Sequence, residues 1–182
     1  IIPTYYRYRY LRDLLDALCG QTVPPDEVIV PDQTPLDDRP PGFYQQYEGK
    51  LPLRVLDIAE PSLTAPRNRA SEQAIGDVLL LLDDDIVVND NLIEAHLRVM
   101  GREYVDVVNG AVSLQKELPE KYAGDLTHLD PVRFFLAAPN YRWNGMQISV
   151  SSCNFSIKRE LLLAVGGFDE DLPRMVDFEL GY

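Results

Sequence analysis

Three consecutive carboxylates, Asp83, Asp84 and Asp85, interrupt an otherwise apolar run that extends from Val78 to Val88. Like charges this close raise one another's energy unless a cation stands among them. A hydrophobic strand that ends in them therefore asks for one. Hard oxygen donors suit Mg²⁺ or Mn²⁺, and open α/β sheets gather their ligands at the carboxyl ends of strands. A solvated acidic turn would account for one or two aspartates and strains at three. The chemistry implied is divalent-cation binding at a strand end.

The elements that must position this triplet can be read from spacing. The run Val78 to Val88, bounded by Gly76-Asp77 and Asn89-Asp90, reads as a strand buried on both faces. Ile1-Ile2-Pro3-Thr4 reads as the end of a first strand. Leu11, Leu14, Leu15 and Leu18 recur at helical spacing, with Gly20 placed to stop the helix. Glu27 to Val30 is a second strand with Pro31-Asp32-Gln33-Thr34 at its carboxyl end. Leu53 to Leu56 is a third, and a helix from about Pro66 to Ile75 leads into the central strand. Asp90 can cap a helix carrying Leu92, Ile93, His96, Leu97 and Met100. Tyr104 to Leu114 reads as a strand with a bend at Gly110. Residues 115 to 147 show no period, Gln147 to Ile157 returns to strand character, and Arg159 to Val165 forms a short helix stopped by Gly166-Gly167. This alternation predicts an α/β, doubly wound, mostly parallel sheet.

The 182 residues suffice for one domain with a real core. A net charge of −12 argues against nucleic acid or an anionic membrane surface as the main partner. It also means that a phosphorylated ligand would need a local metal ion or an arginine cluster. Two cysteines, Cys19 and Cys153, are too few for a disulfide framework and point to a reducing compartment, hence the cytoplasm. No signal peptide or membrane-spanning apolar run is present. The opening at Ile1 and the stop at Tyr182 read as a piece of a longer chain, truncated on its C-terminal side.

Six segments, in order, resemble one family over nearly the whole chain. They are Ile1-Ile2-Pro3-Thr4-Tyr5, Val28-Ile29-Val30-Pro31-Asp32, Pro66-Arg67-Asn68-Arg69-Ala70, Leu82-Asp83-Asp84-Asp85, Gly166-Gly167-Phe168-Asp169-Glu170 and Asp177-Phe178-Glu179-Leu180-Gly181-Tyr182. Each alone is weak; together they resemble the inverting nucleotide-sugar glycosyltransferases of family 2. The resemblance implies a GT-A fold: a Rossmann-like, mostly parallel sheet with an acceptor-side α/β extension. It implies a single domain over 1–182, with a nucleotide-sugar-binding half at 1–114 and an acceptor-side half at 115–182. The implied reaction is metal-dependent, inverting transfer of a sugar from a nucleotide diphosphate donor, a UDP-sugar favoured, to a hydroxyl.

By the same resemblance, Asp85 is the metal ligand for Mn²⁺ or Mg²⁺ and Asp83 the carboxylate facing the donor's ribose. Asp32 reads the base with Thr4 and Tyr5 beside it, and Arg67 approaches the nucleotide. Asp177 is the general base, with Glu179 as runner-up and as a candidate for acceptor binding. Asn154 and Trp143 are further candidates to touch a saccharide or lipid-linked acceptor, and Asp84 receives no role. The implied process is polysaccharide or glycoconjugate assembly, with peripheral membrane contact at the cytoplasmic face. Two departures stand out. The family often has an acidic pair followed by Gly-Ser where this chain has Pro31-Asp32-Gln33-Thr34, and Val176 occupies the first place of the acidic pair that includes Asp177. Two other readings stay open: a non-catalytic nucleotide-sugar-binding module of the same fold, and a haloacid-dehalogenase-like phosphohydrolase with Asp83 as nucleophile. The latter's aspartate loop normally opens its domain, whereas strand units precede it here.

Overall fold

The computed structural model describes residues 1–111 and 153–171. Helix α1 (Tyr8–Cys19) is followed by β1 (Val28–Asp32), β2 (Leu53–Asp57), α2 (Ala65–Gln73) and β3 (Val78–Leu82). Then come α3 (Leu92–Met100), β4 (Val107–Asn109), β5 (Asn154–Lys158) and α4 (Arg159–Ala164). Strands β1 and β2 pair in parallel, and β5 lies antiparallel between β3 and β4.

The first four residues join these two ladders. Ile2 N donates to Ile29 O at 2.9 Å and Thr4 N to Pro31 O at 3.0 Å. On the other side the Ile1 nitrogen donates to Leu80 O at 2.8 Å, and Leu82 N to Ile1 O at 3.0 Å. Both patterns are the slanted bonds of parallel pairing. The order across the sheet is therefore β2, β1, residues 1–4, β3, β5, β4, and β5 runs against the others.

Alternation along the strands divides the core between the two faces. Val28, Val30 and Leu82 join Leu11, Leu14, Leu15 and Leu18 of α1, together with Phe43 and Tyr47. Ile29, Leu79 and Leu81 face the other way, onto Ala70 of α2, Ala74 just after it, Phe155, Leu162 and Phe168. Helices thus cover both faces, which is why the strands carry continuous apolar runs.

Some expected boundaries differ. The central strand ends at Leu82 rather than at Val88, because the three aspartates turn the chain; Ile86 and Val88 fold back onto the α1 core while Val87 is exposed. The strand expected over Tyr104 to Leu114 shortens to Val107–Asn109, since Tyr104 adopts φ +66° in an exposed turn. Residues 112 to 114 of that span and 147 to 152 of the next lie outside the described residues. Cys153 is half-buried.

Candidate functional site

The carboxyl ends of residues 1–4, β1, β2 and β3 lie side by side and bring the predicted polar residues together. At β3 the triplet divides its roles by geometry. Asp84 turns inward and is buried, and it accepts a 2.7 Å hydrogen bond from Thr4 Oγ1. Arg7 Nη1 lies 3.3 Å from the other Asp84 oxygen, and Arg7 Nη2 contacts Asp85 Oδ2. Burial pushes the Asp84 carboxyl above the usual carboxylate range, opposed by the Thr4 hydroxyl and Arg7 and reinforced by its two acidic neighbours. Asp83 and Asp85 stay partly exposed, at 37% and 40% of their side chains. Arg67 Nη2 donates to Asp83 Oδ1 at 2.8 Å.

Arg67 is delivered by the first turn of α2, where Pro66 sits at a position whose missing N–H is harmless. Ser62 Oγ accepts from Thr64 N and Ala65 N at 3.3 and 3.2 Å, fixing the loop that enters the helix. Arg67 is buried and its neighbour Arg69 is exposed, as a solvated helix residue would be. Asn68 ties the same turn to the far end of the chain. Its amide donates to Phe168 O and Glu170 Oε1, both at 2.8 Å, and its Oδ1 accepts from Phe168 N at 2.8 Å.

At β1 the carboxylate of Asp32 sits in a dense network of side-chain contacts. Asp32 is 0% exposed. Its Oδ2 accepts from the Tyr8 and Tyr44 hydroxyls at 2.7 and 2.6 Å, and Arg39 Nε lies 3.2 Å away. Its Oδ1 accepts from Thr34 N at 2.9 Å. Burial, with the bond to Asp32, pushes the Tyr44 hydroxyl well above its ordinary value; burial is also the first cause of the rise of Tyr8 to about 12. Both phenols therefore remain neutral donors. The carboxylate organises the loop beneath the edge.

Of the other expected residues, Tyr5 is exposed at 44% and stands edge-on to Tyr6, with ring centroids 4.7 Å apart. Asn154 is placed inside the sheet rather than at an open surface. Its Oδ1 lies 3.0 Å from His96 Nε2 and its Nδ2 donates to Ala111 O at 3.4 Å. His96 itself is buried, with Nδ1 2.8 Å from Ser156 Oγ. Asp177, Glu179 and Trp143 lie outside the described residues. Arg7, Tyr8, Arg39 and Tyr44 were not foreseen as site residues. The aromatic and basic alternation from Tyr5 to Tyr10 was a visible signal for the first two, whereas Arg39 and Tyr44 sit in a proline-rich loop with no local pattern.

The family profile described as "Glycosyl transferase family 2" matches residues 1–165. The chain belongs to glycosyl transferase family 2. Within it, the chain is similar to the poly(ribitol-phosphate) beta-N-acetylglucosaminyltransferase TarS of Staphylococcus aureus. The two are 30% identical over 112 residues, 59% of this chain and 19% of that protein. It is also 30% identical over 105 residues to the uncharacterized glycosyltransferase YwdF of Bacillus subtilis, 57% of this chain and 36% of the relative. The chain thus spans well under two thirds of these relatives.

Solved structures give the fold. TarS 1–349 of S. aureus in complex with UDP superposes with a TM-score of 0.73 at 22% identity, covering 100% of this chain and 52% of that one. The mannosyltransferase PcManGT of Pyrobaculum calidifontis, in complex with GDP-Man and Mn²⁺, gives 0.70 at 19% identity, covering 99% and 49%. The family 2 chain described here accordingly has the GT-A fold. Among the described residues no helix is long and apolar enough to cross a membrane.

A divalent ion fits the donor set in one way only. Among the described residues no three His, Cys, Asp or Glu side chains converge as a cage. Asp85 offers a partly exposed carboxylate, whereas Asp84 is committed to Thr4. Such a site suits an ion that draws its remaining ligands from phosphate oxygens and water, as Mg²⁺ and Mn²⁺ do.

Proposed function

We propose that this chain carries the donor site of an inverting glycosyltransferase that takes a sugar from a nucleoside diphosphate, a UDP-sugar favoured, and places it on a hydroxyl. The observation that supports this most is the meeting of Arg67 with Asp83, and of Arg7 with Asp85, at the carboxyl edge of the sheet. Cations and carboxylates alternate there, which an acidic protein needs if it is to accept a diphosphate. Asp83 is suited to accept from ribose hydroxyls and Arg67 to meet phosphate oxygens. Thr4 holds Asp84 so that its neighbours face outward, and Tyr5 offers an exposed ring for the base.

Asp85 would hold Mg²⁺ or Mn²⁺, and such an ion supplies Lewis-acid neutralisation of the departing diphosphate. In the transfer, the acceptor oxygen bonds to the anomeric carbon on the face opposite the diphosphate. The old C–O bond breaks, and its electron pair leaves on the phosphate oxygen. The acceptor proton passes to a carboxylate, for which Asp177 is the proposed residue and Glu179 the second choice. Trp143 is a proposed contact for a saccharide or lipid-linked acceptor in polysaccharide or glycoconjugate assembly. A lipid-linked acceptor would bring the protein to the cytoplasmic face of a membrane.

Calorimetric titration of UDP, dTDP and GDP, each with Mn²⁺ and with EDTA, tests the donor site. Metal-dependent binding lost in Asp85→Ala supports it; no binding by a folded sample removes it. Asp177→Asn should keep nucleotide binding and abolish release of the sugar from the bound donor.

A further inference from the structure

We infer that Arg7 is a displaceable counter-cation that competes with a divalent ion for Asp85 and yields it when a diphosphate arrives to receive the guanidinium. This rests on the donor-site reading above and deepens it, by naming the residue that makes metal binding depend on the nucleotide. The two arginines at the edge are held very differently. Arg67 is 9% exposed and fixed between Asp83 and Leu63 O. Arg7 is 45% exposed; its Nη1 lies 3.3 Å from Asp84 Oδ1 and its Nη2 contacts Asp85 Oδ2. Its Cζ stands 5.1 Å from the centre of the Tyr10 ring. Exposed ion pairs and exposed cation–π contacts are each weak, so this side chain can leave Asp85 at small cost.

The backbone is bent to put Arg7 there. Tyr6, just before it, has φ +59°, a left-handed conformation that a bulky side chain rarely adopts. Thr34 Oγ1 accepts from Tyr6 N at 2.9 Å, and Asp38 accepts from the Tyr6 hydroxyl, so the neighbouring loop imposes the turn. Strain of this sort persists only where the surroundings over-determine it. Its result is that α1 opens on Arg7 as its N-cap, a place where the helix field disfavours a cation. Asp84 and Asp85 compensate for that. A divalent ion on Asp85 would then stand beside a guanidinium, and like charges at such range repel. A bound diphosphate reverses the balance. Its oxygens complete the ion's ligand set and accept charge-assisted hydrogen bonds from the guanidinium.

Electron paramagnetic resonance of unbound Mn²⁺, titrated against the full chain with and without UDP, reads the competition directly. In the wild type UDP should tighten Mn²⁺ binding by about tenfold or more, and Mn²⁺ should tighten UDP binding by the same factor. Arg7→Gln removes the charge, so it should tighten Mn²⁺ binding in the absence of UDP by about fivefold or more. That gain should vanish when Asp85→Ala is added, and the coupling to UDP should shrink by a similar factor. Arg7→Lys keeps a point charge on a flexible stem and should retain the Mn²⁺ affinity of the wild type. A purely structural role would lower the melting temperature of Arg7→Gln and leave its Mn²⁺ affinity unchanged. An unchanged or weaker Mn²⁺ affinity in Arg7→Gln, with UDP still bound, overturns the role of Arg7 alone. Failure of the folded wild type to bind UDP is a different outcome: it removes the donor site itself, and this inference with it.

Discussion

Arg67 and Asp83 form a 2.8 Å ion pair between the first turn of α2 and the end of β3, and the arginine is the buried partner. Its Nη1 contacts Leu63 O, and its Nε is buried with no hydrogen-bond partner among the described residues. A guanidinium held this way is under-satisfied for its burial, a condition that an anionic ligand relieves. Arg67→Ala should weaken UDP binding by at least about tenfold, the scale of a lost charge-assisted bond. Arg67→Lys should not restore it, because an ammonium lacks the planar fork that reaches Leu63 O and Asp83 together. Calorimetry on both variants checks this.

Asp85 and Asp32 should separate binding from stability. Asp85 is 40% exposed and pairs with Arg7 near solvent, so Asp85→Ala should change folding stability by less than about 1 kcal/mol. It should nevertheless abolish the Mn²⁺ dependence of nucleotide binding. Asp32→Ala leaves the Tyr8 and Tyr44 hydroxyls without their shared acceptor, at a position that is itself 0% exposed. Breaking a buried charged network of this kind costs about 3–5 kcal/mol. Urea unfolding of the two variants should place them far apart.

Two adjacent glycines provide a graded test of the tie between α2 and the turn after α4. Gly166 and Gly167 have φ of +89° and +78°. A Cβ at Gly166 meets nothing within 4 Å, whereas one at Gly167 would lie 2.5 Å from Asn68 Oδ1. Gly166→Ala should cost about 1 kcal/mol of backbone strain. Gly167→Ala should cost about 1–3 kcal/mol more, because it also breaks the part-buried bonds of Asn68 to Phe168. Thermal melts of both variants, with Asn68→Ala as the reference, give the comparison.

The elements whose signals are local were legible in the sequence. The leucine spacing of α1, the apolar strands β1 and β3, and the glycines after α4 all depend on neighbours within a few residues. Gathering Thr4, Arg67 and the aspartate triplet at one edge followed from strand order, which alternation predicts. What escaped depends on partners far along the chain. Nothing near Asp32 in the sequence shows that Tyr8, Arg39 and Tyr44 converge on it. Asp84 had no role until its pairing with Thr4, 80 residues away, turned it inward. The sequence likewise does not reveal that β5 enters antiparallel in the sheet and sets Asn154 against His96.

That last pair carries a pH signature. Asn154 Nδ2 donates to Ala111 O, which orients the amide so that Oδ1 faces His96 Nε2. The ring therefore carries its proton on Nε2 and accepts at Nδ1 from Ser156 Oγ. Burial lowers the His96 pKa from 6.5, against the Asn154 bond that raises it. Below about pH 6.5 the unfolded chain takes up a proton that the folded one resists, so stability present above that pH falls as the solution is acidified toward the folded pKa. The urea midpoint should drop between about pH 7.5 and 5.5, and His96→Gln should flatten that drop. An equally steep decline in the variant would assign it to other groups.

The seam formed by residues 1–4 joins segments at very different sequence separations. Its bonds to β3 close a sequence separation of 79 residues, while its bonds to β1 close a much shorter one. A chain synthesised in order can pair residues 1–4 with β1 early, but that segment then offers an unsatisfied edge until β3 arrives. Closing so long a loop delays the contacts that reward it, and an open parallel edge in the interval invites pairing with other chains. The residues that bring Thr4 to Asp84 are thus also where a stalled or truncated nascent chain would be most prone to aggregate.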